Sequence, residues 1–186
     1  MRKLSVYDSV SIDGYFTDVS GDMSWAHQMD PEWQDFVSEN AKGGGELVFG
    51  RLTYDMMASF WPTPAGTQMN SVVAERMNSL PKIVFSRKMK KALWNNTRLI
   101  NGDLTTEVKK LKKEPGPDMV IMGSGNLISQ LADLGLIDRY QIVLTALALG
   151  NGRTLFDGIS KTLPLKLLSS RTFKNGNVVL SYEPKS

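Results

Sequence analysis

The strongest constraint on this chain is an alternation. Short apolar, β-rich runs recur at 4–10, 46–49, 82–85, 98–100, 119–122 and 140–144, and helical patterns fall between most of them. That order implies an α/β fold built on a mostly parallel sheet. Asp30-Pro31-Glu32 starts one helix with a cap and a first-turn proline, Trp33, Phe36 and Val37 share its apolar face, and Gly43-Gly44-Gly45 stops it. Another helix is expected after Thr53, a third over about 69–79, and a fourth carrying Leu127, Ile128, Leu131 and Leu134 before Gly135. The last forty residues break the rule, because 165–173 and 178–182 read as strands joined through Lys174-Asn175-Gly176-Asn177, a hairpin signal. The expectation is one domain over 1–186, a mixed, mostly parallel sheet flanked by helices and finished by an antiparallel hairpin.

Composition removes several kinds of chemistry. The 186 residues contain no cysteine and one histidine, His27, so disulfides, thiolate metal sites and a cysteine nucleophile are absent. His27 without a Gly-x-Ser-x-Gly elbow does not make a Ser-His-Asp hydrolase and reads as a loop residue, and no metal is expected. The net charge of +3 is small, and much of the local excess lies in the lysines of 109–113. Asp103 can cap a helix there, Leu104, Val108 and Leu111 form its stripe, and the lysines suit its C-terminal dipole before Pro115. No aromatic platform is interleaved with them, which argues against a nucleic-acid partner. No run spans a bilayer, Asp8 interrupts any signal-like start, and a cytoplasmic protein is expected.

Three strand ends carry candidate ligand chemistry. At Gly50-Arg51-Leu52-Thr53-Tyr54 a strand meets glycine, a forked cation and a threonine placed to cap a helix. Ser86-Arg87-Lys88 follows the next strand, and Gly123-Ser124-Gly125-Asn126-Leu127 forms a glycine-rich turn into a helix. Each has a plain alternative, a strand-to-helix turn with solvated cations or a tight βα connection. Ile128 stands where the third glycine of a full dinucleotide fingerprint would be. In open α/β sheets, however, ligands bind outside the carboxyl ends of strands, so such groups would converge on one crevice.

In this order the stretches resemble the dihydrofolate reductase superfamily, and within it the branch of the riboflavin-biosynthesis reductase domain. Ser9-Val10-Ser11-Ile12-Asp13-Gly14 is similar to the branch's Ser-Leu-Asp-Gly opening, and Gly50-Arg51-Leu52-Thr53-Tyr54 to its Gly-Arg-x-Thr-Tyr element. Ser86-Arg87 and Gly123-Ser124-Gly125 fall where the branch has its own elements. Gly135-Leu136-Ile137-Asp138 resembles its Gly-Leu-x-Asp, and the segment from Leu149 to Phe156 its Leu-Gly-x-Gly-x-x-Leu-Phe. The resemblance implies the three-layer dihydrofolate reductase-like fold and NADPH across the strand ends. Gly50, Arg51 and Thr53 would lie near phosphates, Ser86 and Arg87 near the adenosine ribose phosphate, Gly123, Ser124, Gly125, Asn126 and Leu127 along the diphosphate, and Val10 beside the nicotinamide. It also implies a mobile lid over 14–25, a substrate cleft at Asp13, a small heterocyclic substrate and a homodimer.

Dihydrofolate reductases hold an acid on the first helix. Counting back from Gly50 puts Gln34 at that place, with Asp35 next to it. Asp35 is the candidate proton donor, facing either a cleft or solvent, and Gln34 and Ser38 share its side as candidate substrate contacts. Trp25, Trp33, Trp61 and Trp94 read as core or rim, and no deaminase zinc motif exists in a cysteine-free chain. The expectation is an NADPH-dependent reductase, and its rival is an NADPH-binding module without efficient catalysis.

Overall fold

The computed structural model describes residues 1–185. Its centre is β1 (Leu4–Ser11), paired in parallel with β6 (Met119–Met122) on one side and β7 (Arg139–Thr145) on the other. Beyond β6 lie β3 (Glu46–Gly50), β4 (Lys82–Phe85) and β5 (Thr97–Ile100), all parallel. Beyond β7, the hairpin of β10 (Val178–Pro184) and β9 (Leu165–Thr172) is antiparallel, giving the order β5-β4-β3-β6-β1-β7-β10-β9. The mixed sheet with its terminal hairpin is as expected.

Side chains alternate across the strands, and the two faces of the sheet fill separate layers. Leu4, Val6, Val48, Ile83 and Ile121 face α5 (Leu104–Lys113) and α6 (Gly125–Asp133), which contribute Val108, Leu111, Ile128 and Leu131. On the opposite face, Leu47, Phe49 and Val84 meet Tyr54 of α2 (Arg51–Phe60) and Val73 and Met77 of α4 (Ser71–Ser79). Trp33 of α1 (Pro31–Lys42) packs with Val143, Phe173 and Val179, its ring edge-on to Phe173 at 5.0 Å. Full burial of side chains this size contributes roughly 1.5–3 kcal/mol each.

Local signals explain the helix limits, with two corrections. Asp30 accepts from Trp33 N–H at 3.0 Å and Asp103 from Thr106 N–H at 2.9 Å, the capping read in the sequence and typically about 1 kcal/mol each. Thr53, by contrast, caps nothing: α2 begins at Arg51, Gly50 is its N-cap, and Thr53 sits inside the first turn. The expected helix over 69–79 is instead two pieces, α3 (Pro64–Met69) and α4, because Asn70 is extended and its side chain accepts from Val73 N–H at 3.0 Å. A local cap thus overrode a continuous helical pattern. The lysines of 109–113 end α5 as expected, Lys112 pairing with Asp138 at 2.6 Å. Trp33, Trp61 and Trp94 are buried and Trp25 lies at the rim. Among the described residues no helix is long and apolar enough to cross a membrane.

Candidate active site

The register of the sheet aligns the strand ends. Gly50 of β3 pairs with Phe85 of β4, Val48 of β3 with Ile121 of β6, and Tyr7 of β1 with Met122 of β6. Ser86, Gly50, Gly123 and Val10 therefore leave four consecutive strands along one rim. At about 4.8 Å per strand, that rim spans roughly 14 Å.

The middle of the rim is interlocked. Gly50 N–H donates to Ser124 Oγ at 2.9 Å, and the same hydroxyl donates to Met122 O at 3.3 Å. Gly123 has φ +57, and a Cβ there would stand 2.9 Å from Thr53 Cγ2, so conformation and contact both require glycine. Ser124 also takes a left-handed φ of 62, a geometry that costs on the order of 1–3 kcal/mol outside glycine and is held here by its two hydrogen bonds. Its carbonyl accepts from Leu127 and Ile128 N–H at 2.8 and 3.0 Å, which starts α6. The N–H groups of Gly125 and Asn126 belong to that first turn, which has no intrahelical acceptor for them, so they are available to an anion. A Cβ on Gly125 would meet the Phe16 ring at 2.6 Å, so the phenyl lies directly on this turn.

Cations flank it. Arg51 occupies the first position of α2, its side chain 40% exposed and linked to Asp55 at 3.1 Å, a surface pair that costs little to exchange. Ser86 Oγ accepts from Lys88 and Met89 N–H at 3.2 and 2.9 Å, turning the chain so that Arg87 and Lys88 are exposed beside the rim. The Asp103 carboxyl is held below its usual range by the Thr106 N–H and hydroxyl, with the Arg87 charge adding to the effect.

At the other end of the rim, Asp13 staples two loops. It accepts from the Ser11 hydroxyl at 2.6 Å, from Leu149 N–H at 3.0 Å and from Gly150 N–H at 2.7 Å. The Ser11 hydroxyl, then those amides, hold its carboxyl down at about 2. The segment expected as a lid, 14–25, follows. β2 (Tyr15–Thr17) pairs with β8 (Arg153–Thr154), where a Cβ on Gly152 would overlap Thr17 O at 2.0 Å. His27 is exposed just past that segment.

The α1 candidates separate. Gln34 and Ser38 are joined through Asn70, whose amide donates to Gln34 Oε1 at 2.8 Å and Ser38 Oγ at 3.0 Å. Gln34 also donates to Gln28 O at 2.6 Å, so both side chains tie α1 to its neighbours. Asp35 is exposed and makes no side-chain hydrogen bond among the described residues.

Sequence reading missed four positions. Asp8 is 3% exposed on the apolar face shared by Leu4 and Val6, with Oδ1 accepting from Ser9 N–H at 2.9 Å and Oδ2 unpartnered. Burial raises its carboxyl to about 7, against the smaller opposing effect of that amide. An acid at an inward position of an alternating strand was the available signal. Phe16 is the second, and Thr145 and Asn177, both buried with unpartnered polar atoms, complete the set. Two open concavities of about 540 and 680 Å³ lie elsewhere, around the last turn of α5 and Pro115, and the first also takes in Arg2 at the opposite ends of the strands. Neither contains a rim residue.

Strand order, layers and rim define a three-layer α/β protein of the dihydrofolate reductase type. The chain belongs to the RibD C-terminal domain family, whose model matches residues 2–179. It is 29% identical over 183 residues to the uncharacterized protein YyaP of Bacillus subtilis, covering 97% of this chain and 94% of the relative. A solved Shewanella sp. PV-4 protein ascribed to riboflavin biosynthesis has the same fold, with a TM-score of 0.75 at 23% identity and full coverage of both chains. The diaminohydroxyphosphoribosylaminopyrimidine deaminase/5-amino-6-(5-phosphoribosylamino)uracil reductase of Thermotoga maritima matches at a TM-score of 0.68 and 14% identity, over 99% of this chain and 57% of its own. Of these, the Thermotoga maritima protein is named for a reductase activity.

Proposed function

We propose that this chain is an NADPH-dependent reductase that delivers hydride to a small, conjugated heterocycle, pteridine- or pyrimidine-like. One observation carries the reading: turns suited to phosphate end consecutive strands on a single rim, with cations at β3 and β4 and the α6 amides at β6. The residues fit the nucleotide. Gly123 removes the side chain that would crowd the turn, Gly125 and Asn126 offer N–H donors, and Arg51, Arg87 and Lys88 suit a third phosphate.

NADPH supplies the hydride when bound. This chain supplies position and dryness: the β1 end aligns the reacting face, and Phe16 with the lid excludes water. The polypeptide acts in the cytoplasm as a homodimer. β9 supports the second part, since seven of its eight residues are exposed at the sheet edge and Leu167 and Leu168 are 51% and 39% accessible. Leu167→Asp should then shift the mass measured by light scattering from dimer to monomer.

A fluorescence titration tests the cofactor. NADPH binds at least about tenfold more tightly than NADH, and Arg87→Ala removes most of the difference, because one charge-assisted phosphate contact accounts for about that factor. Equal affinities in the unmodified protein refute the assignment. A second reading, an NADPH-binding module without efficient turnover, is favoured by the exposed Asp35 and the occupied Gln34 and Ser38.

A further inference from the structure

Charge is distributed unevenly along this chain. Residues 82–113 carry ten lysines and arginines against two acids, a net +8, whereas the whole chain is only +3 and the remainder is therefore −5. Residues 4–41 are the opposite pole, with eight acids and neither lysine nor arginine. The fold lays the two poles at different places along the rim. β4, the loop after it, β5 and α5 make the basic edge of the sheet, while β1, the segment after it and α1 lie toward the middle and the far side.

Most of the basic edge is not neutralised. Lys82 is buried against three carbonyls, Arg98 pairs with Glu114 and Lys112 with Asp138. The exposed cations of the 87–91 loop, and Lys109, Lys110 and Lys113 on α5, have no acid within ion-pair distance among the described residues. The loop is pinned: Met89 and Ala92 pack into the layer of Tyr54 and Trp94, Met89 N–H reaches Ser86 Oγ at 2.9 Å, and Trp94 N–H reaches the Tyr54 hydroxyl at 2.8 Å. Lys90 and Lys91 are left outside, three and four residues past Arg87 and so within about 14 Å of it. Lys109 lies about 8 Å down α5 from the end at the rim. The Asp103 carboxyl, between the two flanks, is lowered first by its Thr106 bonds and further by the charges of both Arg87 and Lys109.

We infer that Lys90, Lys91 and Lys109 steer the nucleotide to its site without touching it, and that part of the preference for NADPH over NADH is made in the rate of association. This rests on the reductase reading. A dinucleotide diphosphate carries about two negative charges, and the further phosphate of NADPH adds about 1.5 to 2 at pH 7. A field acting over distance favours a ligand in proportion to its charge, so on a logarithmic scale it works about twice as strongly on NADPH as on NADH. One-signed surfaces of this kind raise association rates by roughly 10- to 1,000-fold, an effect that falls steeply with salt. A contact behaves otherwise: Arg87, at the strand end, acts on the bound ligand, and its loss shows mainly in dissociation. The acids of 4–41 repel phosphate from the β1 end, so the approaching nucleotide is turned as well as attracted.

The test is stopped-flow binding to the full chain, with association and dissociation rates read separately for NADPH and NADH. At about 20 mM ionic strength, where a charge is felt over about 20 Å, the triple variant Lys90→Gln, Lys91→Gln, Lys109→Gln associates with NADPH roughly 5- to 20-fold more slowly than the parent. Its association with NADH slows by roughly two- to fourfold, and both dissociation rates stay within about twofold. At about 0.3 M salt the variant and the parent associate within about twofold of each other. A control triple, Lys161→Gln, Lys166→Gln, Lys185→Gln, changes net charge equally but lies around β9, six strand spacings or about 29 Å from β4, and slows NADPH association by less than about twofold. All six side chains are exposed, so the fold is kept. Equal slowing by the two triples, equal slowing of the two nucleotides, or a loss carried by dissociation overturns the inference. Normal NADPH binding with a salt-independent association rate refutes the steering alone, whereas no NADPH binding in the unmodified chain refutes the reductase reading itself.

Discussion

The two halves of the rim are built on opposite principles. From β4 to β6 the turns are closed by contacts within the chain: Gly50 N–H bonds to the Ser124 hydroxyl, Ser124 O starts α6, and Thr53 fills the space a side chain on Gly123 would occupy. From β1 to β10 the sheet holds Asp8 on one face and Thr145 and Asn177 on the other, each with a buried polar atom that no group among the described residues engages. The first half is finished by folding, whereas the second keeps hydrogen-bonding capacity that folding alone does not use.

The largest expected effect breaks the second half. The native carboxyl of Asp8 titrates at about 7, above its unfolded value of 3.8, so between those limits the folded protein holds a proton that the unfolded chain has released. Its contribution is complete below about pH 4 and is lost as pH rises through 7, a total on the order of 4 kcal/mol. Urea titrations at pH 4.5, 6 and 8 should show stability declining over that range, and Asp8→Asn should flatten the decline. A variant with the same slope as the parent would place the titration elsewhere.

Next comes the first half. Gly123→Ala forces an alanine into φ +57 with its Cβ 2.9 Å from Thr53 Cγ2. Left-handed strain of about 1–2 kcal/mol, with the displacement of Thr53 added, should weaken NADPH binding by at least about tenfold. Unchanged affinity would show that the turn does not shape the cofactor site. The smallest effect belongs to Asp35. Exposed and with no side-chain hydrogen bond among the described residues, it predicts turnover within about twofold of the parent for Asp35→Asn at every pH tested. A larger loss would return the proton donor to α1 and make the comparison of rim halves incomplete.

These halves also differ in how far they can be read from residues alone. Gly50, Arg51, Ser86, Gly123 and Ser124 announce themselves because each stands next to its own strand, and a strand end is a local signal. The hairpin was equally plain from Asn175-Gly176. The pairing of β2 with β8 was hidden, since three-residue and two-residue strands carry no periodicity. So was the break at Asn70, where a polar side chain capping α4 beat a continuous helical pattern. The alignment of Ser11, Thr145 and Asn177 depends on register between three strands that are not neighbours in sequence, and no short window along the chain contains it. Likewise Gln34 and Ser38 were legible as neighbours on α1, while their attachment to Asn70 was not.

The Asp13 carboxylate, clamped by Ser11, Leu149 and Gly150, fixes where motion can begin. Because it welds the exit of β1 to the loop after β7, and β2 is in turn paired with β8, a swinging segment must pivot past Thr17, where the hydrogen bonds of residues 18–27 run only among themselves and to Thr17. A spin label at Val19 would report two environments during turnover, and one at Ile12 would report a single one. In the reductase proposed above the doorway has its jamb built into the wall, so substrate entry would be slowed or quickened by changes beyond Thr17 without disturbing the floor on which the chemistry stands.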